Sequence, residues 1–109
     1  MTQSTAVTVC ALNDITPDTG VCALFNGEQV ALFRIGKTDQ VFAISNYDPF
    51  GKANVLSRGL TGSLGGRLVV ASPLYKQHFD LKTGECLEDS SVTLKTWSVA
   101  VEDGHIVLS

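Results

Sequence analysis

Several features that mark membrane, secreted and nucleic-acid-binding proteins are missing from this sequence of 109 residues. No apolar run approaches the ~20 residues that a transmembrane helix needs, so we expect no membrane span. Residues 1–5 lack the basic start and apolar stretch of a signal peptide. We therefore expect a cytoplasmic protein whose polar residues 1–5 are disordered.

Positive charge is scarce and dispersed along the chain. There are eight Lys and Arg residues, no two of them adjacent, against eleven Asp and Glu residues, and the net charge is −3. Proteins that bind nucleic acid usually gather their basic residues into a patch or stripe. We therefore expect no nucleic-acid partner.

Cysteine is also scarce, which restricts the metal sites that the chain could build. The three cysteines, Cys10, Cys22 and Cys86, lack the paired spacing of a zinc site. Free cysteine packs well as a small apolar side chain, so we interpret all three as buried hydrophobic residues.

The sequence does contain many short runs rich in β-branched and aromatic residues, which favour strands. Asn26-Gly27 between two such runs predicts a hairpin. Residues 51–66 are rich in glycine and serine, so we expect a structured loop there rather than a helix. The predicted strands are residues 6–11, 21–25, 29–35, 41–45, 67–71, 79–81, 94–102 and 105–108. Short strands with turn residues between them predict one all-β domain over residues 6–109, a β-sandwich or small barrel.

The most informative stretch is SPLYKQHFDLKTGE, which begins at Ser72. We expect Asp80 to cap the turn that follows it, and Gly84 to supply a positive φ. The stretch resembles the second cluster-binding box of Rieske iron–sulfur proteins, Cys-Pro-x-His-Gly-x-x-Phe-Asp-x-x-x-Gly. Ser72 stands at the Cys position and Tyr75 at the His position, while Pro73, Phe79, Asp80 and Gly84 are retained.

An upstream segment resembles the first Rieske box, Cys-Pro-His. Asp48 stands at the Cys position, Pro49 is retained and Phe50 stands at the His position. A Rieske centre needs two thiolates on one iron and two imidazoles on the other. The resemblance implies a Rieske-like β-sandwich with a two-loop lobe, and the loss of all four ligands implies that the lobe holds no cluster.

Two other kinds of site could be assembled from residues of these boxes. Asp48, Ser72, Tyr75 and His78 would offer one carboxylate, two hydroxyls and one imidazole, a poor ligand set for zinc or iron. Ser72, His78 and Asp80 could nominally form a catalytic triad, but no nucleophile-elbow sequence surrounds Ser72. We therefore expect neither a metal site nor catalytic residues in this chain.

Within the Rieske-like group, the retained prolines and FDLKTGE resemble the small subunit of cytoplasmic, assimilatory-type NAD(P)H-dependent nitrite reductases. This resemblance implies a cofactor-free accessory subunit. Its partner would be a large catalytic subunit that carries FAD, an iron–sulfur cluster and sirohaem and reduces nitrite to ammonia. The alternatives are a Rieske-type electron-transfer protein with a non-standard metal centre, or a binding module for another redox enzyme.

The two boxes carry apolar and aromatic residues on loops that should be exposed. One interpretation is that Phe50 and Tyr75 fill the volume left by the cluster and its ligands. The other is that part of the set stays exposed and binds a partner. The two interpretations are compatible. The candidate partner-binding residues are Tyr47, Phe50, Leu74, Tyr75 and Lys76.

Overall fold

The structure is a computed structural model that describes residues 6–36, 38, 40–74 and 76–109. In these residues the chain forms twelve strands and two 3-10 turns, Leu12–Asp14 and Leu56–Arg58, and no α-helix. The strands are β1 (Val7–Ala11), β2 (Gly20–Phe25), β3 (Glu28–Arg34), β4 (Val41–Ser45), β5 (Tyr47–Asp48), β6 (Ala53–Asn54), β7 (Leu60–Leu64), β8 (Arg67–Ala71), β9 (His78–Asp80), β10 (Thr96–Trp97), β11 (Val99–Glu102) and β12 (His105–Leu108). The predicted all-β class is confirmed.

The strands form four small antiparallel sheets. The largest has the order β10-β4-β3-β2, and a three-stranded sheet has the order β1-β12-β11. The other two sheets, β5-β6 and β7-β8-β9, form the part of the molecule that contains the two boxes. No helix in the described part of the chain is long and apolar enough to cross a membrane.

Strand β3 lies between two hydrophobic cores because both of its faces are covered. Successive side chains of a strand point to opposite faces. Val30 and Leu32 therefore enter one core, which Ile106 and Leu108 of β12 complete. Ala31 and Phe33 enter the other core, which includes Ile44, Leu56, Val70, Phe79 and Leu81. The second core supports the two loops.

The hairpin predicted at Asn26-Gly27 is confirmed. Phe25 pairs with Glu28, and the two residues between them have φ values of 52° and 79°. Positive φ at both central positions is what a two-residue hairpin turn of this kind requires.

The prediction of a structured loop over residues 51–66 is wrong for residues 60–64. Leu60–Leu64 forms strand β7, which pairs with β8 from Leu60 opposite Ala71 to Leu64 opposite Arg67. Gly65 and Gly66, at φ values of 56° and 80°, form the two-residue turn between these strands. The glycine content thus marked a hairpin turn.

Two smaller predictions also need correction. Cys86 is buried, but Cys10 is half-buried and Cys22 is exposed on β2, so the three cysteines are not all core residues. The strand predicted over residues 94–102 is divided into β10 and β11, and Ser98 between them exchanges backbone hydrogen bonds with Ser109. The predicted disorder of residues 1–5 falls outside the described residues.

Candidate partner-binding site at the two loops

The candidate site lies where two loops meet. The first loop, residues 46–52, follows β4, and the second loop, residues 72–77, follows β8. Buried Asn46 anchors the first loop to the neighbouring 3-10 turn, because its carbonyl oxygen and its Oδ1 accept the N–H groups of Leu56 (3.0 Å) and Ser57 (2.7 Å).

Asp48 organises the first loop. Its carboxylate is fully buried, and Oδ1 accepts the N–H groups of Phe50 (2.9 Å) and Gly51 (3.2 Å). This is the turn that an Asp side chain makes with the backbone two and three residues ahead. Lys52 closes the turn at φ 55° and donates its N–H to the Asp48 carbonyl (2.7 Å).

Ser72 organises the second loop in the same way. It is buried, and its Oγ accepts the N–H of Leu74 (3.2 Å). Lys76 closes this turn at φ 63° and donates its N–H to the Ser72 carbonyl (3.1 Å). Each loop therefore contains a turn that is held by one buried oxygen-bearing side chain and closed by a lysine with left-handed backbone.

One buried hydrogen bond joins the loops. The Ser72 hydroxyl donates to Asp48 Oδ2. Asp48 and Ser72 stand at the two Cys positions of the Rieske boxes. An O–H···O bond to a carboxylate thus connects the positions that an iron atom connects in a Rieske protein.

The residues described at the ligand positions do not fit a Rieske cluster. The Asp48 and Ser72 oxygens are occupied by each other and by loop N–H groups. Phe50, at one His position, packs its ring against Phe79 with centroids 6.2 Å apart. Tyr75, at the other His position, lies outside the described residues. No group of three or more His, Cys, Asp or Glu side chains in the described ranges could hold a metal ion.

The nominal catalytic triad is not assembled. Ser72 is bonded to Asp48, and His78 is bonded instead to Glu88 through its N–H (2.7 Å) and Nδ1 (2.6 Å). Partial burial alone would raise the pKa of Glu88, but these two bonds from His78 outweigh it and the pKa lies below its usual value. Asp80 bonds to neither Ser72 nor His78 but to Arg67, Lys82 and Thr83.

Asp80 caps the turn as predicted. Its Oδ1 accepts the N–H groups of Lys82 (2.7 Å) and Thr83 (3.0 Å), and its Oδ2 accepts Arg67 Nε (2.8 Å). Burial alone would raise the pKa of Asp80, but the bonds from Arg67, Thr83 and Lys82 hold it below its usual value. Gly84 has φ 80°, and a Cβ there would lie 2.0 Å from the Leu94 carbonyl oxygen. The motif FDLKTGE is therefore a structural turn.

The predicted partner-binding residues differ in how far they reach the surface. Leu74 and Tyr47 are 46% and 42% exposed, and Lys76 is exposed. Phe50 is half-buried against the core. Leu74 also packs over Gly51, where a Cβ would lie 2.3 Å from Leu74 Cδ1, so the two loops form one continuous surface.

Sequence reasoning missed part of this surface. Arg58, Leu60 and Pro73 line a cavity of about 230 Å³ beside the second loop, together with Lys76. Leu60 is 79% exposed, the largest value among the exposed large hydrophobic residues described. The spacing of Leu60 and Leu64 in LTGSL, which puts both side chains on the same face of a strand, could have indicated β7. The expectation of a loop over residues 51–66 left this pattern unused.

A two-loop lobe on an all-β scaffold defines a Rieske-like domain, and the family model described as a Rieske-like [2Fe-2S] domain matches residues 5–109. Within that class, the chain belongs to the family of NADH nitrite reductase small subunits. It is 55% identical over 100 residues to the nitrite reductase (NADH) small subunit of Salmonella typhimurium, covering 92% of this chain and 93% of that one. The NMR structure of the E. coli protein NirD superposes with a TM-score of 0.87 at 50% identity, covering 94% of this chain and 96% of that one.

A third relative carries the same kind of domain inside a longer chain. The nitrite reductase [NAD(P)H] large subunit of Klebsiella oxytoca is 43% identical to this chain over 98 residues. The match covers 90% of this chain but only 10% of that protein. In that relative, a domain of this family is covalently part of a large subunit.

Proposed function

We propose that residues 6–109 act as a single, non-catalytic accessory domain that binds the large catalytic subunit of a cytoplasmic NAD(P)H-dependent nitrite reductase. In this proposal the large subunit carries FAD, an iron–sulfur cluster and sirohaem and reduces nitrite to ammonia. The small subunit supplies no redox group, and its two loops supply the contact.

The observation that carries the proposal is the buried Asp48–Ser72 hydrogen bond. It keeps the two loops together although the residues described at the ligand positions are unsuited to iron. Loops that are held in place without a cofactor favour a role in recognition, because pre-ordered loops lose little conformational entropy on binding. The domain within the Klebsiella oxytoca large subunit supports the choice of partner.

The exposed residues suit such a contact. Tyr47 and Leu74 supply aromatic and aliphatic area of the kind that dominates interfaces. Lys76 lies beside them, where a charge affects the orientation and rate of association more than the affinity. We propose that Phe50 and Tyr75 also belong to this contact, Phe50 through the part of its ring that the core leaves uncovered.

The experiment is binding of the purified chain to its large subunit, compared between the native chain and the double variant Tyr47→Asp, Leu74→Asp. We expect the variant to fold and to lose co-purification. The matched control is Val7→Asp, because Val7 is 45% exposed but lies in the sheet β1-β12-β11. Full binding by the double variant would contradict the assignment of the loops.

A second measurement tests the absence of a redox group. The chain purified alone without air is expected to be folded, colourless and free of iron and sulfide. Stoichiometric iron with a visible absorption band would favour the alternative of an electron-transfer protein with a non-standard centre.

A further inference from the structure

We propose that the cavity beside the second loop is a carboxylate-binding socket that takes an acidic segment of the large subunit. The inference rests on the proposed function and adds the chemistry of the contact to it. The socket is defined by Arg58, Leu60, Pro73 and Lys76, which line the cavity of about 230 Å³.

The fold places the two cations on the same cavity from separate segments. Arg58 ends the 3-10 turn that Asn46 anchors, and Gly59 after it presses against β8. A Cβ on Gly59 would lie 2.3 Å from the Ala71 carbonyl oxygen, so only glycine allows this approach. Lys76 reaches the same cavity from the second loop, whose backbone Ser72 holds. Backbone contacts at Gly59 and Ser72 therefore fix the positions from which the Arg58 and Lys76 side chains reach the cavity.

Both cations lack a partner in the part of the chain that the structure describes. Neither Arg58 nor Lys76 forms an ion pair there. Arg67 bridges Asp80 and Glu85, and Lys95 pairs with Glu28, whereas the exposed Lys52 and Lys82 also form no ion pair in the described residues. Arg58 and Lys76 differ from these two lysines because they line the same cavity. An unpaired Arg and an unpaired Lys on one cavity favour a carboxylate occupant, to which guanidinium can donate two parallel hydrogen bonds.

The charge of the lobe points the same way. Residues 46–77 contain four basic residues, of which Arg67 is paired with Asp80 and Glu85, and one acidic residue, Asp48, which is buried. The whole chain, in contrast, has a net charge of −3. The exposed charges of the two loops and the 3-10 turn are therefore cationic. A partner surface with carboxylates would be complementary and would associate faster at low salt.

The walls between the cations are apolar, which favours a polypeptide segment as the occupant. Leu60 is 79% exposed, and Pro73 is exposed beside it. Leu60 also borders a separate cavity, which Asp18 lines. We therefore expect an Asp or Glu on the Arg58–Lys76 side and an apolar side chain against Leu60.

The test is the dissociation constant of the complex between the purified small and large subunits, measured for Arg58→Glu and Lys76→Glu. We expect each reversal to weaken binding about tenfold or more, and we expect Arg58→Gln to have a smaller effect. Lys82→Glu is the matched control, because it makes the same charge change at an exposed lysine that lines a different cavity, beside Trp97. Equal effects of Lys82→Glu and Arg58→Glu would overturn the socket.

The outcomes separate this inference from the proposed function. If the native chain fails to bind the large subunit, the proposed function fails. If Tyr47→Asp, Leu74→Asp abolishes binding but the reversals at Arg58 and Lys76 behave like Lys82→Glu, only the socket fails.

Cross-linking with a carbodiimide, which couples an amine to a nearby carboxylate, tests independently whether Lys76 lies next to a carboxylate of the large subunit in the complex. We expect a Lys76 cross-link to an Asp or Glu of the large subunit, and we expect no such cross-link from Lys82. Cross-links from Lys82 but none from Lys76 would contradict the inference.

Discussion

Ser72 donates a buried hydrogen bond to Asp48, and these two residues occupy the positions at which Rieske proteins place their two cysteine ligands. Asp48 Oδ1 and Ser72 Oγ also accept N–H groups of their own loops. Each of the two side chains therefore organises its own loop and contacts the other. This bond and the packing of Leu74 over Gly51 hold the two loops together.

Ser72→Ala should destabilise the protein and loosen the loops. The variant leaves Asp48 Oδ2 without its donor in a buried site, which costs about 1–3 kcal/mol. The free energy of unfolding from urea titration measures this loss. Ser63→Ala, at an exposed position of β7, is the control. A Ser72→Ala variant as stable as the native chain would show that water replaces the hydroxyl.

Gly51→Ala and Gly59→Ala should have different effects although both positions are crowded. A Cβ on Gly51 would meet the end of the Leu74 side chain, which can rotate away, so we expect near-native stability but weaker binding to the large subunit. A Cβ on Gly59 would meet the Ala71 carbonyl, which cannot move without disturbing β8. We expect Gly59→Ala to lose about 1–3 kcal/mol of unfolding free energy. Thermal unfolding and binding of both variants measure the contrast, and equal stability losses would contradict it.

Phe50→Ala should show how much the Phe50 side chain contributes to the free energy of unfolding. Its ring packs against Phe79 and is half-buried, so the loss should be smaller than the 3–5 kcal/mol of a fully buried Phe, about 1–2 kcal/mol. Phe50→Leu should restore most of that stability, because it refills the space. The loss of stability measures how far Phe50 fills the volume left by the cluster, and the loss of binding measures how far it contacts the large subunit. A variant with native stability and no binding would assign Phe50 wholly to the partner.

The sequence indicated the scaffold well because local chemistry determines it. Asn26 and Gly27 readily adopt the positive φ values that a two-residue hairpin turn requires. The apolar residues from Val30 to Phe33 formed a strand whose two faces enter the two cores. Asp80 and Gly84 were assigned correctly because an Asx turn and a positive φ are decided within a few residues.

The sequence did not indicate the contacts that depend on separate segments. The hydrogen bond between Asp48 and Ser72 joins residues 24 positions apart. In the sequence each residue marked only the loss of a cysteine ligand, and nothing indicated that the two bond to each other. Arg58 and Lys76 meet on one cavity only because β7 pairs with β8, which the prediction of a loop over residues 51–66 had excluded. The glycines of residues 51–66 did not distinguish a loop from a hairpin, because glycine is common in turns, at close backbone contacts and in loops.

Asp80→Asn should change how stability depends on pH. The hydrogen bonds from Arg67, Thr83 and Lys82 outweigh burial and hold the pKa of folded Asp80 below its unfolded value of about 4. Folding therefore favours the ionised form, and this contribution is complete above the unfolded pKa and is lost as pH falls through the folded pKa. At pH 7 we expect Asp80→Asn to cost about 1 kcal/mol, a modest value because Arg67 is partly exposed. In urea titrations the difference between the native chain and the variant should shrink as pH falls below the unfolded pKa of about 4, whereas Glu102→Gln, at an exposed position, should follow the native curve throughout. A constant difference between pH 3 and pH 7 would show that the Arg67–Asp80 pair does not distinguish the folded from the unfolded state.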